Sequence, residues 1–231
     1  MKYKHLFFDL DHTLWDYEAN AHSSMRHIYD SLGLKERGIH DFELFYRYYS
    51  RHNDKLWEQY RNGLVKQDEL RVKRMRLALL DFKIADEELA EKMNVQFLDL
   101  LPTRTYLFAD CIETLSYLTE KKYILHLITN GFEEVQHNKL KYSGLTKYFT
   151  EVITSEGSNS LKPNKEIFEF AFKRSNANPE ESIMIGDNIE VDIVGAMNVG
   201  IDQVFVNHNN IEPRVKATYT VYSLKELEDI F

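Results

Sequence analysis

The order of residues predicts an α/β protein: a parallel sheet whose chain is interrupted, just after the first strand, by an all-helical insertion. Three observations carry that expectation. A short apolar run, Leu6-Phe7-Phe8, lies near the N-terminus. From residue 16 to 101 strand-like runs are nearly absent, glycines are sparse, and apolar residues recur every three or four positions. From residue 111 onward, short apolar runs alternate with helical patterns. Apolar strands separated by helical crossovers imply a parallel sheet covered on both faces.

Leu6-Phe7-Phe8 is too brief, and too close to carboxylates, to be anything but a buried strand. Within the helical stretch, residues 41–60 read as one long amphipathic helix from Phe42 to Trp57 and Tyr60, stopped at Asn62-Gly63. Residues 66–82 and 86–101 give two more, and Pro102 closes the block. Beyond it the expected strands are 124–129, 149–154, 182–186, 203–206 and 219–222. The expected helices are 112–121, 133–142, 165–175, 190–198 and a terminal one over 224–230. This places residues 1–15 and 103–231 in the α/β core and 16–102 in the helical insertion.

Bulk properties narrow the function. With 231 residues, 43% hydrophobic and 13% aromatic, the chain can bury one large core or a core plus a smaller unit. A net charge of -8 disfavours binding a nucleic-acid polymer or an anionic membrane through the overall field, so an anionic substrate needs a local positive site. The single cysteine, Cys111, excludes an intramolecular disulfide and a cysteine-based zinc site. No apolar run approaches the roughly 18 residues of a membrane span, and the N-terminus lacks the apolar stretch of a signal peptide, so a cytoplasmic location is expected.

The chemistry collects where strands end. Asp9 and Asp11 follow the first apolar run directly. Charged groups there are costly to bury unless paired, hydrated or ligating a cation. Their spacing by one residue points both side chains to one face of an extended backbone, each facing the other's charge, an arrangement a divalent metal would hold together. In parallel sheets ligands bind at the carboxyl ends of the strands. The second strand delivers Thr129-Asn130-Gly131 there, the loop after the third delivers Leu161-Lys162-Pro163, and the fourth delivers Gly186-Asp187-Asn188 with Asp192 following. Taken singly each is an ordinary turn, cap or surface residue; together they put carboxylates, a hydroxyl, a lysine and loop amides on one edge.

Asp9-Leu10-Asp11-His12-Thr13-Leu14, Thr129-Asn130-Gly131, Lys162-Pro163 and Gly186-Asp187-Asn188-Ile189-Glu190-Val191-Asp192 resemble, in order and spacing, the four motifs of the haloacid dehalogenase-like hydrolases. The resemblance implies a Rossmann-like core with a helical cap inserted after the nucleophile strand. Lys55-Leu56-Trp57-Glu58-Gln59-Tyr60-Arg61-Asn62-Gly63 is similar to the cap segment of the YjjG/YfnB-type branch, whose characterised members are nucleotidases. Carried onto this chain, the resemblance makes Asp9 the nucleophile and Asp11 the proton carrier. Mg2+ would sit on Asp9, the Asp11 backbone carbonyl and Asp187; Thr129, Asn130 and Gly131 would hold phosphoryl oxygens, with Lys162 supplying positive charge. Asn188 and Asp192 would support this set, Asp192 by positioning Lys162 or a metal-bound water. Lys55, Trp57, Tyr60 and Arg61 would contact the leaving group, although a tryptophan and a tyrosine at helical spacing are at least as often packing residues.

The expected activity is magnesium-dependent hydrolysis of small phosphate monoesters, nucleoside 5'-monophosphates foremost. Asp11 speaks against carbon–halogen chemistry, because dehalogenases of the superfamily lack an aspartate two residues after the nucleophile. A sugar-phosphate phosphatase or a phosphomutase would share the core motifs. A non-catalytic binding protein would be expected to have lost one of Asp9, Asp11, Lys162 or Asp187, and none is missing.

Overall fold

A computed structural model describes residues 2–231. The chain enters through β1 (His5–Phe8), then forms four helices, α1 (Tyr17–Ser31), α2 (Phe42–Arg61), α3 (Gln67–Leu80) and α4 (Glu87–Leu100). It continues through α5 (Cys111–Glu120), β2 (Ile124–Thr129), α6 (Glu133–Tyr142), β3 (Phe149–Thr154), a single turn α7 (Ser155–Ser158) and α8 (Lys165–Ser175). The last part holds β4 (Ser182–Gly186), a π-helical turn (Ile189–Ile193), α9 (Val194–Asn198), β5 (Asp202–Val206), β6 (Tyr219–Val221) and a closing 3-10 turn (Leu224–Asp229).

Beyond α1 and the turn α7, which the expected helices did not include, two of these differ from the sequence expectation. The helix expected over 190–198 starts as a π-helical turn because Asn188 caps it, its Oδ1 accepting from the backbone amides of Glu190 and Val191 at 3.1 and 3.0 Å. The terminal helix winds as 3-10, the tighter form common in short pieces.

Two compact units emerge, one from Glu18–Arg104 and one from Thr105–Phe231 together with the residues up to Tyr17. In the second, all six strands run parallel in the order β3-β2-β1-β4-β5-β6. The first strand is therefore central, and every residue of β1 and β4 is buried, as continuous apolar runs under helices on both faces require. One face packs Phe7, Ile128, Ile153 and Met184 against Ile167, Phe168 and Ala171 of α8. Because β2 and β4 flank β1 and are reached by separate crossovers, a crevice opens at the carboxyl end of β1. Register decides what meets there: Phe8 pairs with Leu127 and Ile185, and Thr129 pairs with Thr154, so the residues just past each strand lie at one level. The segments leading out of and back into this unit are tied to one another, with Asp16 donating to the Tyr106 carbonyl at 3.1 Å and Phe108 to the Leu14 carbonyl at 3.0 Å.

The helical unit is built from amphipathic helices. Phe42, Phe45, Tyr49, Asn53 and Leu56 form the buried stripe of α2, at the three-and-four spacing that faces one way on a helix. Asp41 caps it by accepting from the Leu44 amide at 3.1 Å, and Asp86 caps α4 by accepting from Leu89 at 2.8 Å, contributions of about 1 kcal/mol each. The one buried arginine here, Arg74, donates to Asn53 at 3.0 Å and lies over the Phe97 ring at 4.8 Å.

Candidate active site

Asp9 is the first residue after β1, held in line by its amide donating to the Ile185 carbonyl at 2.9 Å. Its carboxylate is almost fully buried and accepts from Lys162 Nζ at 2.5 Å, and the same ammonium donates to Asp192 Oδ1 at 2.6 Å. Lys162, 1% exposed, reaches this point because Asn130 clamps its backbone: Asn130 Oδ1 accepts from the Lys162 amide at 2.7 Å while its Nδ2 donates to the Lys162 carbonyl at 2.9 Å.

Asp187 follows β4 and is fixed from the first strand's turn. Thr13 Oγ1 donates to Asp187 Oδ1 at 3.0 Å and accepts from the Asp187 amide at 3.1 Å. Asp192, inside the π-helical turn, accepts from the Asn188 amide at 3.0 Å through Oδ2. That approach needs Gly186, where a Cβ would fall 2.4 Å from the same oxygen. Carboxylate oxygens of Asp9, Asp187 and Asp192 lie within 4.8 Å of one another.

The electrostatics are unbalanced. Burial pushes the Asp9 carboxyl up to about 8, with Asp192 and Asp187 adding to the shift and Lys162 opposing it. Burial and the Asp192 charge likewise push Asp187 up to about 7. For Lys162 burial acts downward, but Asp192 and Asp9 outweigh it and hold the ammonium above its ordinary value. Three carboxylates against one ammonium leave two negative charges without a partner when all are ionised. A divalent cation with a preference for oxygen ligands would neutralise that excess, so these donors suit it.

Asp11 lies apart from this cluster. The turn after Asp9 is closed by Leu14 and Trp15 amides donating to the Leu10 carbonyl at 3.0 and 2.9 Å, with His12 in the left-handed region at φ 64. The expectation that Asp9 and Asp11 confront each other's charge is thereby corrected: the backbone leaves extended geometry, and each carboxylate finds its own lysine. Asp11 accepts from Lys139 Nζ at 2.6 and 2.9 Å and from Gln136 Nε2 at 3.0 Å. Thr129 Oγ1 accepts from Gln136 Nε2 at 2.7 Å and from the Gly131 amide at 3.1 Å, which leaves its own O–H to turn toward a ligand.

Nine sequence-predicted positions, Asp9, Asp11, Thr129, Asn130, Gly131, Lys162, Asp187, Asn188 and Asp192, thus occupy the carboxyl edge of the sheet. Lys55, Trp57, Tyr60 and Arg61 belong to the other unit, on the last turns of α2. There Trp57 and Tyr60 pack against each other edge to face, ring centroids 5.6 Å apart, and against the cluster of Leu56, Val65 and Leu70. Lys55 is exposed and Arg61 half-buried. Sequence reasoning missed Thr13, Gln136 and Lys139. The last two are marked only by their burial: α6 turns Gln136, Lys139 and Leu140 inward, a mostly polar inner face that a core-packing helix would not have.

Fold and site together define an α/β protein whose candidate ligand site lies at the carboxyl edge of a parallel sheet, on buried carboxylates and a buried lysine. The chain belongs to the haloacid dehalogenase-like hydrolase family, whose description matches residues 6–206. It is 31% identical to the pyrimidine 5'-nucleotidase PynA of Streptococcus pneumoniae over 99% of this chain and 95% of that one. It is 29% identical to the pyrimidine 5'-nucleotidase YjjG of Escherichia coli over 100% and 98%. Among solved structures, the HAD-hydrolase YfnB of Bacillus subtilis, bound to magnesium, superposes with a TM-score of 0.89 at 25% identity, covering 100% of this chain and 99% of that one. The YjjG/YfnB-type branch is therefore where this hydrolase falls.

Proposed function

We propose that the protein is a magnesium-dependent phosphatase that hydrolyses small phosphate monoesters, nucleoside 5'-monophosphates foremost, through an aspartyl-phosphate on Asp9. The observation that carries this reading is the buried Asp9 carboxylate in contact with Lys162, beside Asp187 and Asp192, with two negative charges left over. A carboxylate approaching a phosphoryl group is repelled unless positive charge lies between them. Lys162 supplies one such charge. Asp9, the Asp11 backbone carbonyl and Asp187 would hold Mg2+, which when bound supplies the rest of the charge compensation.

In the first step an Asp9 oxygen forms a bond to phosphorus as the ester P–O bond breaks, and Asp11 delivers a proton to the departing oxygen. In the second, Asp11 takes a proton from water as its oxygen attacks phosphorus, releasing phosphate and regenerating Asp9. Thr129 O–H and the loop amides of Asn130 and Gly131 would bind phosphoryl oxygens throughout, while Asp192 keeps Lys162 in place. The preference for nucleotides rests on the relatives named pyrimidine 5'-nucleotidase, and Lys55, Trp57, Tyr60 and Arg61 would read the leaving group.

The test is phosphate release over a panel of nucleoside 5'-monophosphates and sugar phosphates, with and without Mg2+, alongside Asp9→Asn. Nucleotides should be turned over fastest, and Asp9→Asn should lose about 10³-fold or more. Far faster turnover of sugar phosphates would overturn the substrate reading, and retained activity in Asp9→Asn would overturn the mechanism.

A further inference from the structure

Gln136 and Lys139 sit one helical turn apart on α6 and converge on a single carboxylate. Lys139, its side chain 3% exposed, contacts both oxygens of Asp11, and its Nζ lies 4.4 Å from the centre of the buried Trp15 ring and 5.7 Å from that of Tyr17. Both rings lie within cation–π reach of the ammonium. Gln136 is fully buried, and its Nε2 bridges Asp11 Oδ2 and Thr129 Oγ1. With Asp11 ionised, the carboxylate only accepts, so the amide turns its Nε2 toward it and its Oε1 has no hydrogen-bond partner among the described residues. The loop leaves room for it only at glycine, since a Cβ on Gly131 would fall 2.3 Å from the Gln136 amide carbon.

A buried acceptor left unpaired costs about 1–3 kcal/mol, and a buried ammonium more unless paired, so this arrangement is not a cheap way to build a core. It does achieve one thing. With the turn around His12 setting the Asp11 backbone, two side-chain torsions remain, and three hydrogen bonds from two donor atoms hold both; rotation about either gives up contacts to Lys139. We propose that Gln136 and Lys139 are positioning residues that orient Asp11 for proton transfer and, through the Gln136 bridge, align it with the Thr129 hydroxyl that binds the phosphoryl group. This inference rests on Asp11 being the proton-transfer residue. It adds two groups that touch neither substrate nor metal but decide where the transferring oxygen sits.

The test compares two phosphate esters with the full-length, magnesium-loaded enzyme. Uridine 5'-monophosphate has an alkoxide leaving group that must receive a proton as it departs; p-nitrophenyl phosphate has an aryl oxide that leaves without one. Lys139→Met and Gln136→Met should lower kcat/KM for uridine 5'-monophosphate on the order of 10²-fold, the scale of a misplaced catalytic group, and for p-nitrophenyl phosphate by less than about 3-fold. Lys139→Arg should restore most of the loss. In an Asp11→Asn background Lys139→Met should change the remaining rate less than about 2-fold, because the group it orients is gone. Equal losses on both esters, additive losses in the Asp11→Asn background, or no loss at all would each overturn the proposal. Should Lys139→Met fail to fold, Gln136→Met, which removes no charge, decides by the same comparison. Asp9→Asn separates the two readings: turnover surviving there overturns the functional assignment, whereas a dead Asp9→Asn with an unaltered Lys139→Met overturns only the positioning role.

Discussion

Thr13 shows how much a single hydroxyl can decide. It donates to the Asp187 carboxylate and accepts from the Asp187 amide, so both the side chain and the backbone of a candidate metal ligand are set by a residue 174 positions away. Groups that orient a metal's ligands typically account for 10–100-fold in affinity. Thr13→Val keeps the shape and removes both hydrogen bonds. It should raise the Mg2+ concentration for half-maximal activity by about that factor while leaving the KM for nucleotide near its wild-type value; an unchanged Mg2+ titration would show that Asp187 needs no such support. At this scale the strand-end residues, Asp9, Thr129, Lys162 and Asp187, were readable from order and spacing. Thr13, Gln136 and Lys139 were not singled out, because a hydroxyl in a turn or a lysine in a helix has a surface explanation until its partner is known.

Among the elements, β2 carries polar groups at its carboxyl end and in its middle. Its carboxyl end delivers Thr129, and its middle buries His126 between the rings of His5 and Phe7, with centroids at 5.3 and 4.8 Å. His126 Nε2 lies 3.0 Å from His5 Nδ1, and its own Nδ1 has no hydrogen-bond partner among the described residues. Burial, and then the neighbouring His5, push His126 down to about 4 from 6.5. The folded protein thus binds fewer protons than the unfolded chain between those values, and stability is full above about pH 6.5 and lost as pH falls toward 4. The loss has an upper limit of about 3 kcal/mol. Asp9 and Asp187, both raised, act the opposite way over the same range, so the His126 contribution reads as a difference: urea unfolding from pH 7 to 4.5 should show wild type losing stability relative to His126→Leu, and a pH-independent difference would refute it. Element types were largely legible because hydrophobic period is a local property, and α2, α6, α8 and β2 to β4 fall where the pattern puts them. The π-helical turn at Ile189–Ile193 was not, since it arises where Asn188 and Asp192 bond to nearby backbone amides in place of a regular helical start.

For the whole molecule, the parallel sheet gathers three carboxylates near one ammonium, an excess of negative charge that the proposed Mg2+ would balance. Chelation with EDTA should abolish phosphate release and Mg2+ should restore it. At 100-fold over its dissociation constant, Mg2+ should stabilise the core unit by about 2.7 kcal/mol, a rise in Tm of roughly 5–10 °C that Asp187→Asn should lose. A melting curve indifferent to Mg2+ in the wild type would count against a metal on these residues. The helical unit has its own caps and its own buried stripe, so its construction can be followed without the sheet.

What the sequence determined by itself was the kind of element along each stretch, the parallel sheet, and the acidic and basic residues that end its strands. These follow from period, turn chemistry and motif spacing, all written within a few residues of one another. Only the tertiary structure decided which group meets which: Asp9 with Lys162 across 153 positions, Asp11 with Lys139 across 128, Asp187 with Thr13 across 174. Those pairings depend on strand order and register, and a shift of one residue would turn each side chain to the opposite face of the sheet.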